Sequence, residues 1–463
     1  MKIIGINNYE YHLTVFGQKE KKTINRFLEP KNLGIESAVI GAAAITGVVI
    51  AKKNARNKYL KTLANDLSKE LKKVIKPSDL KSVITRQEFH KIASSLKEEN
   101  YIASAENIKN GVFRADFHSH SNFSDGITSV ETIMNQAAEY GDKLNKINGK
   151  KFLFALSDHD GVEGVKEALK IIAQSPKKFE NVRFIPAAEL SLPIPCEVGS
   201  VKHNKTKNEV EMIEMLIYGI NPFSKASDEY FSNLYKNRKE CVQDALKLAS
   251  QKNPDINYLE EEFNKYFTRK KVPYCMLNQH WRIFHYINLK TRIAIAAKEL
   301  HKNPEDMYWN VMNELPQIGG HNGQTLDTYF KNNNIKNTTK TYTDEAWNII
   351  SEISPKFKGP TLWAPYESSY EKILEYAIKE DAVLALAHPG FTLQNMRKEN
   401  ALFQIKNYID KSKGRLLYSE SFHQAYPPTE ITQEEINEAN KLLNEAGLIS
   451  IGGRDKHNNN FKF

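Results

Sequence analysis

Between Asp116 and Gly126 the chain reads DFHSHSNFSDG. An apolar lead-in over residues 112–117, interrupted only by Arg114 and Asp116, reads as a β-strand, with His118 and His120 at its end. In an extended chain residues i and i+2 point to the same face, so both imidazoles lean the same way. Asp125 follows in a turn of Ser, Asn, Asp and Gly. Two imidazoles and a nearby carboxylate can hold a divalent metal ion. An HxH pair also arises by chance, so its weight comes from recurrence. FLFAL (152–156) runs into Ser157-Asp158-His159-Asp160-Gly161, VRFIPAA (182–188) into Glu189, AVLALA (382–387) into His388, and LISIGG (448–453) into Arg454-Asp455-Lys456-His457. Each short apolar run delivers His, Asp or Glu just past its end. Buried imidazoles and carboxylates are unfavourable unless paired or metal-bound. The recurrence therefore points to a polynuclear metal site rather than to packing.

Something must bring those strand ends together. Helical stretches at 129–140, 162–173, 367–379 and 430–446 separate the strands. Alternating β and α units argue for a parallel sheet or barrel. In such a barrel the C-terminal strand ends meet at one face. Two further apolar runs, Met215–Ile220 and Leu416–Ser419, complete the strand set, the second leading to Glu420 and His423. From about 222 to 359 the rhythm stops and helices are expected over 228–250, 257–267, 277–300 and 304–315, as an insertion over the barrel's loops. Within it His280, Trp281, Arg282 and His285 read as packing and surface. Arg269 and Arg282 are the insertion's candidate phosphate contacts, because a guanidinium pairs bidentately with phosphate oxygens.

Residues 1–110 read as a leader and a helical extension, with the barrel and its insertion in 111–463. Leu60, Leu63, Leu67, Leu71 and Ile75 form an apolar stripe at helical spacing. Pro77 breaks it, Ser78 offers an N-cap, and Leu80 to Leu96 continue the stripe. MKIIGINNYEYHL lacks the apolar core of a cleavable signal. The Ala- and Gly-rich run AVIGAAAITGVVIA (38–51) is shorter than the roughly 18 residues of a spanning helix. A buried or interfacial helix is expected there, with membrane contact through residues 35–51 as the alternative.

The 463 residues suffice for two or three domains, or one large barrel with extensions. With 40% hydrophobic and 26% charged residues, a packed core is expected rather than global disorder. A net charge of +9 suits a phosphate-rich substrate or partner. Cys196, Cys241 and Cys275 are too few and scattered for a disulfide framework or a thiolate zinc site, which suits a reducing, cytoplasmic setting.

The stretches DFHSHSNFSDG, LSDHDGVEG, IPAAELS, LALAHPG and IGGRDKH, in that order, resemble the PHP (polymerase and histidinol phosphatase) family of metal-dependent phosphoesterases. The resemblance spans roughly residues 111–224 and 360–457 and is greatest to the branch acting on nucleotides and short oligonucleotides. It implies a distorted (β/α)7 TIM-like barrel holding about three divalent ions, Mn, Fe or Zn. It further implies hydrolysis of a phosphate ester of a nucleotide, short oligonucleotide or small metabolite through a metal-bound hydroxide. By motif, His118, His120, Glu189 and Asp455 would hold the first metal. Glu189 would bridge to a second shared with His388, and Asp125, His159 and His457 would hold the third. Two departures stand out. The family usually has a histidine on the strand after the bridging Glu, where this chain offers Glu214 or Met215; Glu214 and His203 are the candidate substitute ligands. Arg454, where the family has a small residue, is a third candidate for gripping phosphate or else faces solvent. The competing reading is a non-catalytic metal-binding or scaffold protein on a decayed barrel. A metal-dependent amidohydrolase also uses HxH barrels, but no bridging lysine stands at a strand end.

Overall fold

The computed structural model describes residues 54–101, 113–196, 209–267, 279–314, 326, 329–335, 344–346, 348–349, 368–389, 398–423 and 433–455. The chain divides between Thr62 and Leu63. Residues 54–62, on the N-terminal side, are helical. The rest of the description concerns residues 63–463.

Seven strands lie side by side in sequence order: β1 (Ala115–Asp116), β2 (Phe152–Leu156), β3 (Val182–Cys196), β4 (Glu209–Tyr218), β5 (Val383–Leu386), β6 (Leu416–His423) and β7 (Ile449–Gly453). The sheet curls until its edges meet. Phe117 N donates to Gly452 O at 3.2 Å and Asp455 N to His118 O at 3.0 Å, so β1 and β7 close a TIM-like barrel. The expected parallel order holds with one exception. β4 is antiparallel to both β3 and β5, paired from Ala187↔Tyr218 to Cys196↔Glu209 on one side. β3 and β4 are consecutive in the chain with no helix between their described ends, and they pair over ten residues as the two arms of a long antiparallel ladder.

The period of two along each strand sorts the side chains. Ala115, Phe117, Leu153, Ala155, Ile185, Ala187, Leu216, Tyr218, Val383, Ala385, Tyr418 and Ile451 share one buried cluster, the barrel interior. Continuing the same parity upward gives Ser157, Glu189, Glu214, Ala387, Glu420 and Gly453. The interior is thus apolar in its lower layers, while the top layer brings in Ser157 and the carboxylates Glu189, Glu214 and Glu420.

The helix α1 (Arg86–Ala93) adds a plug to this interior. It is started by Thr85, whose side chain accepts from Glu88 N while Glu88 reaches back to the Thr85 N–H, a capping box. Ser78, expected to cap a helix, instead lies within a 3-10 turn, Pro77–Leu80. Val83 bridges Phe184 of β3, which anchors the segment. Phe89 is fully buried, stacked on Tyr218 at 4.7 Å and edge-on to Phe117 at 5.0 Å and Tyr418 at 5.3 Å.

Helices α2 (Val130–Asn148) and α3 (Glu163–Gln174) flank the early strands. The insertion supplies α4 (Lys225–Lys252), α5 (Glu260–Phe267), α6 (Gln279–Glu299) and α7 (Pro304–Glu314), close to the helices expected from the apolar spacing. They build a core of their own around Phe263, Tyr286, Ile287, Ile293, Tyr308 and Val311. A buried Lys290 sits in it, paired to Glu262 at 2.7 Å and Glu305 at 3.1 Å and lying over the Tyr308 ring. After the insertion come α8 (Tyr370–Lys379), α9 (Lys398–Lys411) and α10 (Gln433–Glu445). No helix among the described residues is long and apolar enough to cross a membrane. Residues 35–51 lie outside the described residues.

Two substitutions test this architecture. Phe89→Ala removes the aromatic plug and should lower stability by about 3–5 kcal/mol, read from a chemical denaturation midpoint. Gly453→Ala tests the seam, since a Cβ there would lie 2.4 Å from His118 Cβ and 2.5 Å from His118 N. It should destabilise by about 1–3 kcal/mol, read as a lower melting temperature. An unchanged melting temperature would mean that β1 and β7 do not approach this closely.

Candidate metal centre

The mouth of the barrel gathers titratable side chains from all seven strands or their ends. Glu189, fully buried on β3, is its hub. One carboxylate oxygen lies 3.0 Å from His118 Nε2, 3.2 Å from His120 Nε2 and 3.1 Å from His159 Nδ1. The other lies 3.1 Å from His388 Nε2. Asp455 joins from the end of β7, with Oδ1 3.0 Å from His120 Nε2 and 3.5 Å from His118 Nε2. The Nε2 atoms of His118 and His120 face each other at 3.0 Å. Asp125, in the turn after β1, reaches His159 Nε2 at 3.5 Å and His120 Nδ1 at 3.8 Å. Glu214 sits 2.9 Å from His388 Nε2 and 3.7 Å from His159 Nδ1.

Three sets of ligand atoms lie within 4.8 Å of one another: His118, His120, Glu189 and Asp455; His120, Asp125 and His159; and His159, Glu189 and Glu214. Imidazole nitrogens and carboxylate oxygens converging at such spacing, nearly all buried, fit a divalent cation. One further observation supports the fit. Glu214 Oε1 is buried and accepts no hydrogen bond, which is unfavourable for a carboxylate without a cation to meet it.

The electrostatics follow from burial opposed by pairing. Burial alone would lower the His118 imidazole, but Glu189, Glu420 and Asp455 outweigh it and hold it well above its ordinary range. His159 and His388 are raised in the same way. His120 is opposed by burial and by His159, yet hydrogen bonds to Asp455 and Glu189 lift it to about 9. Burial would raise the Glu189 carboxyl; His118 and His159 hold it well below the usual carboxylate range. The cluster thus demands positive charge, and a metal ion offers it without the protons.

A surrounding set of groups fixes these side chains. Glu420 accepts from His118 Nδ1 at 2.9 Å and from His388 N at 3.0 Å. With Nδ1–H donating to Glu420, His118 presents its Nε2 lone pair to the centre. Asp158 accepts from Ser121 N, Ser121 Oγ and Ser124 Oγ at 2.6, 2.7 and 2.8 Å, tying the β1 turn to the end of β2. Gly164 makes room for this contact, because a Cβ there would lie 1.9 Å from Asp158 Oδ2. Asp160 accepts from Ser191 N and Oγ and from Arg238 of α4 at 2.8 Å.

Of the residues singled out by motif, His118, His120, Asp125, His159, Glu189, His388 and Asp455 come together here, and so does Glu214. Arg454, a candidate phosphate contact, points elsewhere: its Nε is 2.6 Å from the buried Asp116 and its backbone N donates to the same carboxylate at 3.1 Å. With 4% exposure, it faces neither solvent nor the ligand cluster. His457, His203 and Arg269 lie outside the described residues, as does the Arg282 side chain, whose backbone belongs to α6. Glu420, Asp116, Asp158, Asp160 and Arg238 were not anticipated as site residues. The strand parity that marks Tyr418 as interior also marks Glu420, two residues on; no local signal links Arg238 to Asp160.

No protein-family model matches the chain, and neither does any curated protein. Solved structures do. One is a candidate metal-dependent phosphoesterase from Bifidobacterium adolescentis, 15% identical, aligned over 74% of this chain and 87% of that one with a TM-score of 0.39. Another is an amidohydrolase from Chromobacterium violaceum with bound sulfate and no metal, 15% identical, aligned over 75% of this chain and 88% of that one with a TM-score of 0.41.

Proposed function

We propose that the chain is a metal-dependent phosphoesterase that hydrolyses a phosphate ester of a nucleotide, short oligonucleotide or small metabolite. The observation that carries this reading is the convergence of His118, His120, Glu189 and Asp455, whose ligand atoms lie within 4.8 Å of one another at the barrel mouth. His118, His120, Glu189 and Asp455 would hold one ion; Glu189 and His388 would reach a second, and Asp125 and His159 a third. Bound divalent ions supply Lewis-acid polarisation of a phosphoryl oxygen and a water of lowered pKa.

The chain's own residues set the conditions for that chemistry. Glu420 keeps His118 in the tautomer that leaves Nε2 as acceptor. Glu189 and Asp455 supply negative charge that lets cations bind tightly between the imidazoles. The Ser121–Asp158–Ser124 bonds hold the turn that carries Asp125. The net charge of +9 favours an anionic substrate.

The test is metal content by mass spectrometry on protein purified without chelator, with turnover on a panel of nucleotides and short oligonucleotides in the same sample. About two or three equivalents of Mn, Fe or Zn with phosphate release are expected. His120→Ala should lose metal and turnover while keeping the wild-type circular dichroism spectrum. Glu420→Gln, which disturbs the partner of a ligand, should weaken metal affinity or turnover about 10–100-fold. Less than one ion per chain with no phosphoester cleaved would overturn this reading in favour of a scaffold. Full activity in His120→Ala would overturn it outright.

A further inference from the structure

Glu214 lies at the start of the apolar part of β4, which in a parallel strand would be the end away from the active face. The reversal of β4 inverts this. Tyr218 descends to the Phe89 plug and Glu214 rises into the layer of Glu189 and Glu420. Its backbone O accepts from Ala387 N at 3.0 Å, which places its side chain beside that of His388.

Glu214 and Glu189 flank the same two rings. His388 Nε2 is 2.9 Å from Glu214 and 3.1 Å from Glu189. His159 Nδ1 is 3.1 Å from Glu189 and 3.7 Å from Glu214. A carboxylate present only to orient His388 would need one oxygen. The other, Oε1, is buried, accepts no hydrogen bond and belongs to a ligand set with His159 and Glu189. Two carboxylates about one imidazole also repel each other unless a cation sits between them.

Resting on the metal-centre reading above, we infer that Glu214 is a ligand of the second ion, together with Glu189 and His388, and that this position selects an oxygen-preferring divalent ion. The first position draws on two imidazoles and two carboxylates; the second draws on one imidazole and two carboxylates. Carboxylate-rich sets suit Mn, whereas imidazole-rich sets suit Zn. The centre is then built for two different ions, with Mn2+ (or Fe2+ under anaerobic conditions) at the Glu214 position in the presence of Zn2+.

The experiment reads ion identity rather than activity. Protein stripped by chelator is loaded with equimolar Mn2+ and Zn2+, desalted, and analysed by mass spectrometry and by the Mn2+ electron paramagnetic resonance signal. Wild type should retain both metals. Glu214→Gln should lose about one equivalent, chiefly Mn. Glu214→His should keep the ion count but shift the Mn:Zn ratio toward Zn by about tenfold or more. Both variants are checked by circular dichroism, and if Glu214→Gln fails to fold, Glu214→His decides. An unchanged ratio in Glu214→His, or an unchanged count and ratio in a folded Glu214→Gln, overturns the inference while leaving the metal centre standing. Wild type that retains no ion overturns the metal-centre reading itself.

Discussion

The structure depends on one buried carboxylate. Glu189 has no exposed surface and is surrounded by imidazoles from the ends of β1, β2 and β5. An ionised carboxylate in such a place is tolerated only if it is fully paired. The pairing therefore ties three strand ends to the middle of β3. The backbone repeats the tie: Glu189 N donates to Asp158 O, and Asp160 N donates to Glu189 O at 2.7 Å. The ligand cluster and the barrel's hydrogen-bond ladder are the same object at this level. A change that loosens the barrel at its mouth also loosens the centre.

Around the hub, acidic residues next to the histidines act as braces. Asp116 precedes His118 by two residues and holds Arg454; Asp158 precedes His159 and holds Ser121 and Ser124; Asp160 follows His159 and holds Ser191 and Arg238. Asp158 and Asp160 stand directly beside His159 in sequence, and Asp116 stands two residues before His118. Alternation explains the bracing role of Asp158 and Asp160, which flank His159, whereas Asp116 shares the parity of His118 and is taken up by Arg454 instead. A residue next to an inward-facing one points outward, and in a barrel it meets the packed shell around the strands, where it needs a local partner.

The same alternation decides what could be read in advance. The strand ends were legible because each pairs a short apolar run with a His, Asp or Glu at its tip, and the helices because their apolar spacing is regular. The direction of β4 was not legible. A strand of six apolar residues reads the same both ways, and only the partners Ala187↔Tyr218 and Met215↔Leu386 orient it. Glu214 could therefore be named from sequence only as a candidate substitute ligand, without the strand direction that aims it at the centre. Arg454 was misleading for a related reason: proximity to Asp455 in sequence suggested proximity to substrate, whereas its side chain crosses to Asp116, 338 residues away.

Backbone geometry completes the account of how the ligands are aimed. Asp160, His388 and Asp455 have φ values of 46°, 24° and 48°, in the left-handed region that ordinary side chains avoid. Each lies just beyond a strand tip, where the chain must leave the barrel while still directing a side chain at or beside the centre. Such conformations cost about 1–3 kcal/mol each and persist only where surrounding contacts hold them. Those contacts are present: Asp160 is held by Ser191 and Arg238, His388 by the Glu420 bond to its backbone N, and Asp455 by its own N–H on His118 O. One of these restraints comes from outside the barrel strands. Arg238 belongs to α4, which is anchored at its start through Ser227 and Tyr376 of α8 and packs onward into the core formed with α5, α6 and α7. The insertion therefore helps hold the turn that carries His159, and a shift of α4 would reach the centre through the Arg238–Asp160 pair.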